Sequence, residues 1–397
     1  MTVWFYLFLG SCFIVFYNYA GYALIVILLN RIRRRPAAPI PPDDWLPAVS
    51  FIVAAYNEAD CIDQKITNSL GLDYPPHKIE FVFISDGSND ATPSIIRRYD
   101  RLVALHQPER QGKSAAINRA VSSARHEILI FSDANTILNR EAVRLIARHY
   151  HDPAVGGVAG EKKVLSAANG NDVGDGEGLY WKYESFLKKT DADFYSVVGA
   201  AGELFSLRRS LYTVLPASIV LDDFVLSLKV AQQGFRVAYE PAAWASELPS
   251  ASIEDERKRK VRIAAGGFQA ITLLSPLLAF WKYPRLSFLY ISHRVLRWAA
   301  SPFCLLLAFL SNGILVLLGS GRFPTAAPAL TAVFIAQCAF YGAAALAAFQ
   351  PSLRRFKLVK LAYYFTFMNV CAVLGFFRFL NGSQSAVWEK ARRAQSA

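Results

Sequence analysis

Residues Phe131–Thr136 (Phe-Ser-Asp-Ala-Asn-Thr) close an apolar run, Glu127–Phe131, with a carboxylate at Asp133 and an amide at Asn135. A buried strand ending there would project both side chains from its C-terminal edge, where open α/β sheets bind ligands. Oxygen ligands facing a diphosphate suit Mg²⁺ or Mn²⁺. Taken alone, Asp-x-Asn after a strand is more often a turn or a helix cap. Two further strand candidates also end in polar residues, at Ala55-Tyr56-Asn57-Glu58 and at Ser85-Asp86-Gly87-Ser88. In a doubly wound sheet these edges converge on one crevice, where an aspartate can bond a nucleobase or a ribose hydroxyl. Gln111-Gly112-Lys113-Ser114 opens a helix after a third strand, so its lysine can reach a nucleotide and its amides favour anions. It lacks the Gly-rich spacing of a P-loop, which argues against an NTPase cradle. Asp222-Asp223 begin another helix, a place where negative charge is favourable even without a catalytic role.

The elements that must carry these residues are legible as a rhythm. Val49–Ala55, Ile79–Ser85, Leu102–His106 and Glu127–Phe131 read as strands. Glu58–Leu70, Thr92–Tyr99, Gly112–Ala124 and Arg140–Tyr150 read as the helices that alternate with them. That alternation predicts an α/β domain with a mostly parallel sheet and helices on both faces. Further on, Ser166–Gly178 reads as a surface loop, Tyr180–Lys189 as an amphipathic helix, Leu221–Gln233 as a helix and Phe235–Glu240 as a short strand.

Both ends have another character. The 397-residue chain is 53% hydrophobic with mean hydropathy +0.25, and its apolar residues are clumped. Val3–Leu29 carries no charge and is long enough to cross a bilayer core of roughly 30 Å. Arg31, Arg33, Arg34 and Arg35 come directly after it, so the positive-inside rule places the N-terminus outside and the chain that follows from residue 31 in the cytoplasm. Pro36–Pro47 is an extended spacer. Ala264–Phe280 reads as a helix lying in the membrane interface. Pro302–Leu318 and Leu330–Phe349 read as spans, and Leu361–Leu380 as a last apolar stretch that either crosses or re-enters. The predicted division is a transmembrane helix over 1–30, a basic and Pro-rich linker over 31–47, a cytoplasmic α/β domain over 48–263, and interfacial plus transmembrane helices over 264–397, the spans at about 302–318, 330–349 and 361–380. The net charge of +12 lies largely in clusters flanking apolar spans, the pattern of a membrane protein and not of a nucleic-acid binder. The five cysteines have no metal-ligand spacing and suit a reducing compartment.

Seven short motifs occur in one order: Ala54–Asp60, Ser85–Thr92, Gln111–Asn118, Phe131–Thr136, Val198–Phe205, Leu221–Leu226 and Arg259–Gly267. From about Val49 to Gly267 the chain resembles the family 2 glycosyltransferases, the membrane-embedded inverting enzymes that include hyaluronan, cellulose, chitin and poly-N-acetylglucosamine synthases. The resemblance implies a GT-A-type, Rossmann-like domain with N- and C-terminal transmembrane and interfacial helices. It implies a donor pocket from Ala55, Tyr56, Asn57, Glu58 and Asp86, with Lys113 and Asp133 on the donor side. Asp133 matches the metal-contacting carboxylate for Mg²⁺ or Mn²⁺, and Asn135 replaces the second one. Gly199, Ala200, Gly202 and Glu203 match the acceptor floor. Asp223 matches the catalytic base, with Asp222 beside it to raise its pKa, and Arg262 matches the arginine that faces the departing diphosphate. Arg259 and Ile263 stand where the family has glutamine and tryptophan, and that tryptophan stacks on the acceptor sugar in processive synthases.

The resemblance thus leads to the expectation of a UDP-sugar-dependent hexosyltransferase of the inner membrane. It would form β-linkages on a glycan or lipid-linked acceptor, in company with the lipid bilayer and export-complex subunits and without nucleic acid. The alternative is a catalytically silent nucleotide-sugar-binding subunit of a polysaccharide export complex.

Overall fold

Eight strands make one sheet in the computed structural model, which describes residues 1–32, 42, 45–165, 172–318 and 323–382. Arg33, Arg34 and Arg35, most of the Pro36–Pro47 spacer, residues 166–171 of the expected loop, and the tail with Lys390, Arg392 and Arg393 lie outside the described residues. The strands are β1 Val49–Ala55, β2 Ile79–Asp86, β3 Leu102–Gln107, β4 Ile128–Asp133, β5 Ile137–Leu138, β6 Val155–Val164, β7 Phe205–Arg208 and β8 Arg236–Glu247. Their order is β3-β2-β1-β4-β7-β6-β8-β5. β3, β2, β1 and β4 run parallel to one another, as do β6 and β8. β7 is antiparallel to both β4 and β6, and β5 is antiparallel to β8. A parallel Rossmann-like half thus continues into a mixed half, the GT-A-type arrangement.

The expected parallel strands form because helices cover both faces, which allows apolar runs with no alternation. Every residue of β2 is buried, and β1 has one partly buried residue. Phe51, Val53, Phe81, Phe83, Ile128 and Ile130 fill one core with Ile62, Ile66, Val143 and Ile146 from the flanking helices.

Several expectations move. The helix expected over Glu58–Leu70 is Ile62–Leu70, because Cys61 and Ile62 donate to the Glu58 carbonyl in a turn that precedes it. The loop expected over Ser166–Gly178 is helical from Asp172, in the helix Asp172–Phe194. The interfacial helix expected from Ala264 begins far earlier, as Ile253–Leu273. Ser252 caps it by accepting from the Asp255 amide, and Glu254, Asp255 and Glu256 fill its first turn, where the helix dipole favours negative charge. β8 is twice as long as the short strand expected there.

The described residues fall into two compact units. The second, Val26–Glu256 with Gln269–Leu289, holds the sheet. The first comprises Met1–Ile25, Arg257–Phe268 and Tyr290–Ser383. Among the described residues four helices are long and apolar enough to cross a membrane: Thr2–Ile32, Pro284–Leu318, Ala327–Phe349 and Lys357–Leu380. Within the first unit, Tyr17–Gly21 and Ile291–Ala300 are π-helical. Asn18 Nδ2 donates to the Ser292 carbonyl at 2.8 Å, which gives a buried amide nitrogen a partner inside an apolar bundle. Gly267 lets Trp298 close on the helix backbone, since a Cβ there would stand 2.7 Å from the indole.

Candidate active site

Register brings the motif loops together. Ala54 of β1 pairs with Ile84 of β2 on one side and with Asp133 of β4 on the other, so the three strand ends leave the sheet side by side.

The first corner is built on Asp86, the last residue of β2 and fully buried. Its Oδ1 accepts from Arg119 Nη2 at 2.5 Å, and its Oδ2 accepts from the amides of Gly112 (2.7 Å) and Gln111 (3.1 Å). The helix Lys113–Ser123 supplies Arg119, and its approach holds the carboxylate in one orientation. Gly87 has φ +68°, and a Cβ on it would meet Arg110 Cβ at 2.5 Å. The Arg110 guanidinium lies over the Tyr56 ring, 3.4 Å from its centroid. Side chains lace the two loops. Ser88 Oγ accepts from the Asn57 amide (3.0 Å), Asn57 Oδ1 from Asn89 N (3.0 Å), and Thr92 Oγ1 from Glu58 N (2.8 Å). This fixes Asn57 at φ +53°, a left-handed conformation asparagine tolerates. The corner thus combines an aromatic face, a guanidinium and an oriented carboxylate. Ala55 lies buried at the end of β1 beneath it. Glu58 accepts from the Cys61 thiol at 3.2 Å.

The second corner is acidic. Lys113, Asp133, Gly202, Asp222 and Asp223 line one cavity, with Ile117, Phe131, Phe205 and Leu226 as its apolar walls. Lys113 Nζ lies 2.7 Å from Asp133 Oδ1 and 3.9 Å from Asp222 Oδ1. A Cβ on Gly202 would stand 3.0 Å from Lys113 Nζ, 3.3 Å from Asp223 Oδ2 and 3.5 Å from Asp133 Oδ1, so glycine there leaves the space the polar groups share. Burial pushes the Asp223 carboxyl up to about 7; Asp222 adds to the rise and Lys113 opposes it. Burial would lower Lys113, but Asp133, Asp222 and Asp223 outweigh it and hold the ammonium above its ordinary value. The group therefore holds one firmly charged cation and one carboxylate poised near neutrality, a pairing suited to proton transfer beside a phosphate. Asn135 is partly buried on the loop after Asp133 and is not among the residues lining this cavity.

The third corner is the stretch Val198–Phe205. Gly199 has φ +86° and lies against Phe224, and the Ala200 amide donates to Ser227 Oγ at 3.0 Å. Glu203 Oε1 accepts from Lys162 Nζ at 2.5 Å, and Lys162 also bonds Glu247. Burial alone would raise Glu203, but Lys162 outweighs it and holds the carboxyl below its usual range. The Glu203 carbonyl accepts from Ser132 Oγ at 2.9 Å, which joins this stretch to the end of β4. Asp86, Lys113, Asp133, Asp222, Asp223 and residues 199–203 thus share the second unit, whereas Arg262, on the helix Ile253–Leu273, belongs to the first. Arg110, Arg119, Lys162 and Lys65 were not among the residues expected from sequence. The last is a lysine on the apolar stripe Ile62, Lys65, Ile66, Ser69, where helical spacing already points it inward.

The parallel half-sheet, the mixed half and a polar crevice at strand C-termini make a fold of GT-A type. A mannosyltransferase from Pyrobaculum calidifontis, solved with GDP-Man and Mn²⁺, shares it with TM-score 0.70 and 23% identity, over 94% of this chain and 99% of that one. Residues 50–215 match the family model described as Glycosyl transferase family 2. It is 26% identical over 238 residues to a poly-beta-1,6-N-acetyl-D-glucosamine synthase of Staphylococcus aureus, covering 57% of this chain and 56% of that one. A synthase of the same description from Staphylococcus epidermidis is 25% identical over 255 residues, covering 59% and 56%. The chain thus spans just over half the length of these curated relatives.

Proposed function

We propose that this chain is a membrane-bound inverting glycosyltransferase. It moves a sugar from a UDP-sugar to a growing glycan or lipid-linked acceptor with a β-linkage, as part of cell-surface polysaccharide synthesis. The observation that carries the reading is the meeting of Lys113, Asp133, Asp222 and Asp223 around Gly202 in one cavity. Inversion is a single in-line displacement at the anomeric carbon. It needs a base on the acceptor side and positive charge on the diphosphate side. Asp223, raised to about 7, takes the acceptor hydroxyl proton. Lys113 meets the donor phosphates, Asp86 with Arg119 orients the base against Tyr56, and Gly199–Glu203 carries the acceptor.

The residues fit a divalent ion. Three carboxylates surround a single ammonium, so the cavity has charge to spare for a second cation, and Asp133 heads the group that would hold it. Bound there, Mg²⁺ or Mn²⁺ would offset charge on the departing diphosphate. The four apolar helices support a multi-pass membrane location with the sheet domain in the cytoplasm, as the arginines after residue 30 suggest.

The test is release of nucleoside diphosphate and labelled product by purified full-length protein, across UDP-sugars and GDP-mannose, with Mn²⁺ or Mg²⁺. Transfer is expected to stop on chelation and to return with either metal, and Asp133→Asn is expected to require far more metal. No release under any acceptor condition sinks the enzyme reading in favour of a silent subunit. Turnover at saturating donor is expected to rise with pH through about 7, because only ionised Asp223 accepts a proton. In Asp222→Asn one of the charges that raises Asp223 is gone, so the midpoint is expected to move to lower pH. A midpoint that stays put or moves up overturns the pairing.

A further inference from the structure

Lys65 is fully buried, and no step above uses it. It sits on the helix Ile62–Leu70, behind the turn that carries Asp133 and Asn135. Its Nζ donates to Ser132 Oγ at 2.7 Å, to the Thr136 carbonyl at 3.0 Å and to Thr136 Oγ1 at 3.2 Å. Ser132 and Thr136 are the residues on either side of Asp133–Asn135, so one buried head group grips both feet of the turn. The two hydroxyls lie 3.1 Å apart, and Thr136 Oγ1 donates to the Asp133 carbonyl at 2.9 Å. From Ser132 the network continues to the Glu203 carbonyl at 2.9 Å. The same node therefore touches the stretch assigned to the acceptor. The Phe51 ring lies 5.6 Å from Nζ and completes the enclosure.

A turn of this kind has many conformations to lose on folding, and hydrogen bonds from a packed element are what select one. Burying a lysine is costly unless its donors are satisfied, and here all the bonds it makes go to this turn. Ile62, Ile66 and Ser69 fill the rest of that helix face.

We propose that Lys65 is a positioning residue for the metal-facing turn, holding Asp133–Asn135 in the geometry that takes a divalent cation and tying that turn to the Glu203 segment. The proposal rests on the reading of Asp133 as the metal carboxylate. Groups that orient ligands from behind typically change metal affinity by about 10- to 100-fold when removed.

The experiment measures Mn²⁺ binding by electron paramagnetic resonance in full-length protein, without donor or acceptor. The variants are Lys65→Met, Thr136→Val, Thr136→Ser and Asp133→Asn, each confirmed folded by circular dichroism. Expected is about tenfold weaker Mn²⁺ binding in Lys65→Met and in Thr136→Val, with Thr136→Ser close to the parent because it keeps the hydroxyl. If Lys65→Met fails to fold, the Thr136 pair decides. Parent-like binding in Lys65→Met and Thr136→Val, alongside loss in Asp133→Asn, overturns the proposal and leaves the metal reading standing. Equal binding, or none, in parent and Asp133→Asn overturns the metal reading and this inference with it.

Discussion

Asp223→Asn is expected to lower the rate of sugar transfer about 10³-fold while donor binding stays within about twofold of the parent. The side chain keeps its shape, so Gly202 and the cavity wall are undisturbed, but an amide cannot accept the acceptor's proton. Folding supplies an internal control. Asp223 has its carboxyl raised to about 7, so over the window from its ordinary value of 3.8 up to about 7 the folded state holds the proton more tightly than the unfolded chain. The ionised form therefore costs stability, and that cost grows as pH rises through the window. A neutral amide removes the cost, so the variant should melt no lower than the parent at pH 8. A rate loss with stability kept separates chemistry from collapse. Single-turnover transfer, paired with titration of the nucleoside diphosphate, reads both. Parent-like turnover with normal donor binding ends the assignment of Asp223 as base.

The parts of the fold and site that were visible in the sequence share one physical cause. β1, β2 and β4 are buried on both faces, so their sequences are continuous apolar runs that end abruptly at Tyr56, Asp86 and Asp133, and the polar interruption marks the sheet edge. The mixed half was harder. β6 begins Val155-Gly156-Gly157, which reads as a chain breaker, yet those glycines are there for want of room. A Cβ on Gly156 would meet Leu211 and Phe235 at 2.6 Å, and one on Gly160 would meet Leu204 at 2.7 Å. Close approach of neighbours, which periodicity cannot report, is what made glycine fit a strand. Long-range partners were hidden for the same reason. Arg119 faces Asp86 across 33 positions and Lys162 faces Glu247 across 85, and no local pattern announces either pair. Lys65 is the exception, since its place on an apolar stripe is a sequence signal that a snorkelling surface lysine would equally produce.

Gly199→Ala is expected to damage both stability and turnover, and a comparison with Gly234→Ala separates the two causes. Both glycines have positive φ, +86° and +92°, so both alanines incur a backbone strain of about 1–2 kcal/mol. They differ in surroundings. A Cβ on Gly234 meets nothing within 4 Å, whereas one on Gly199 would stand 2.1 Å from Phe224 Cδ2 and 2.3 Å from Cε2. Phe224 is almost fully buried and comes directly after Asp223, and its carbonyl accepts from Ser227 Oγ at 2.8 Å, the same hydroxyl that receives the Ala200 amide. The ring cannot yield without pulling on the first turn of the helix Asp222–Gln232. Overpacking of this kind adds about 1–3 kcal/mol, for a total of about 2–5 kcal/mol. A melting temperature on the order of 10 °C below the parent is expected for Gly199→Ala, with only a few degrees lost in Gly234→Ala. Turnover carries the sharper contrast. Displacing Phe224 moves Asp223 relative to Lys113, and misplacement of about 1 Å can cost 10²-fold. Gly234→Ala should therefore keep its rate per folded molecule while Gly199→Ala loses most of it. Equal rates in the two would mean that Phe224 is free to move without Asp223. Gly199 would then be a matter of folding alone.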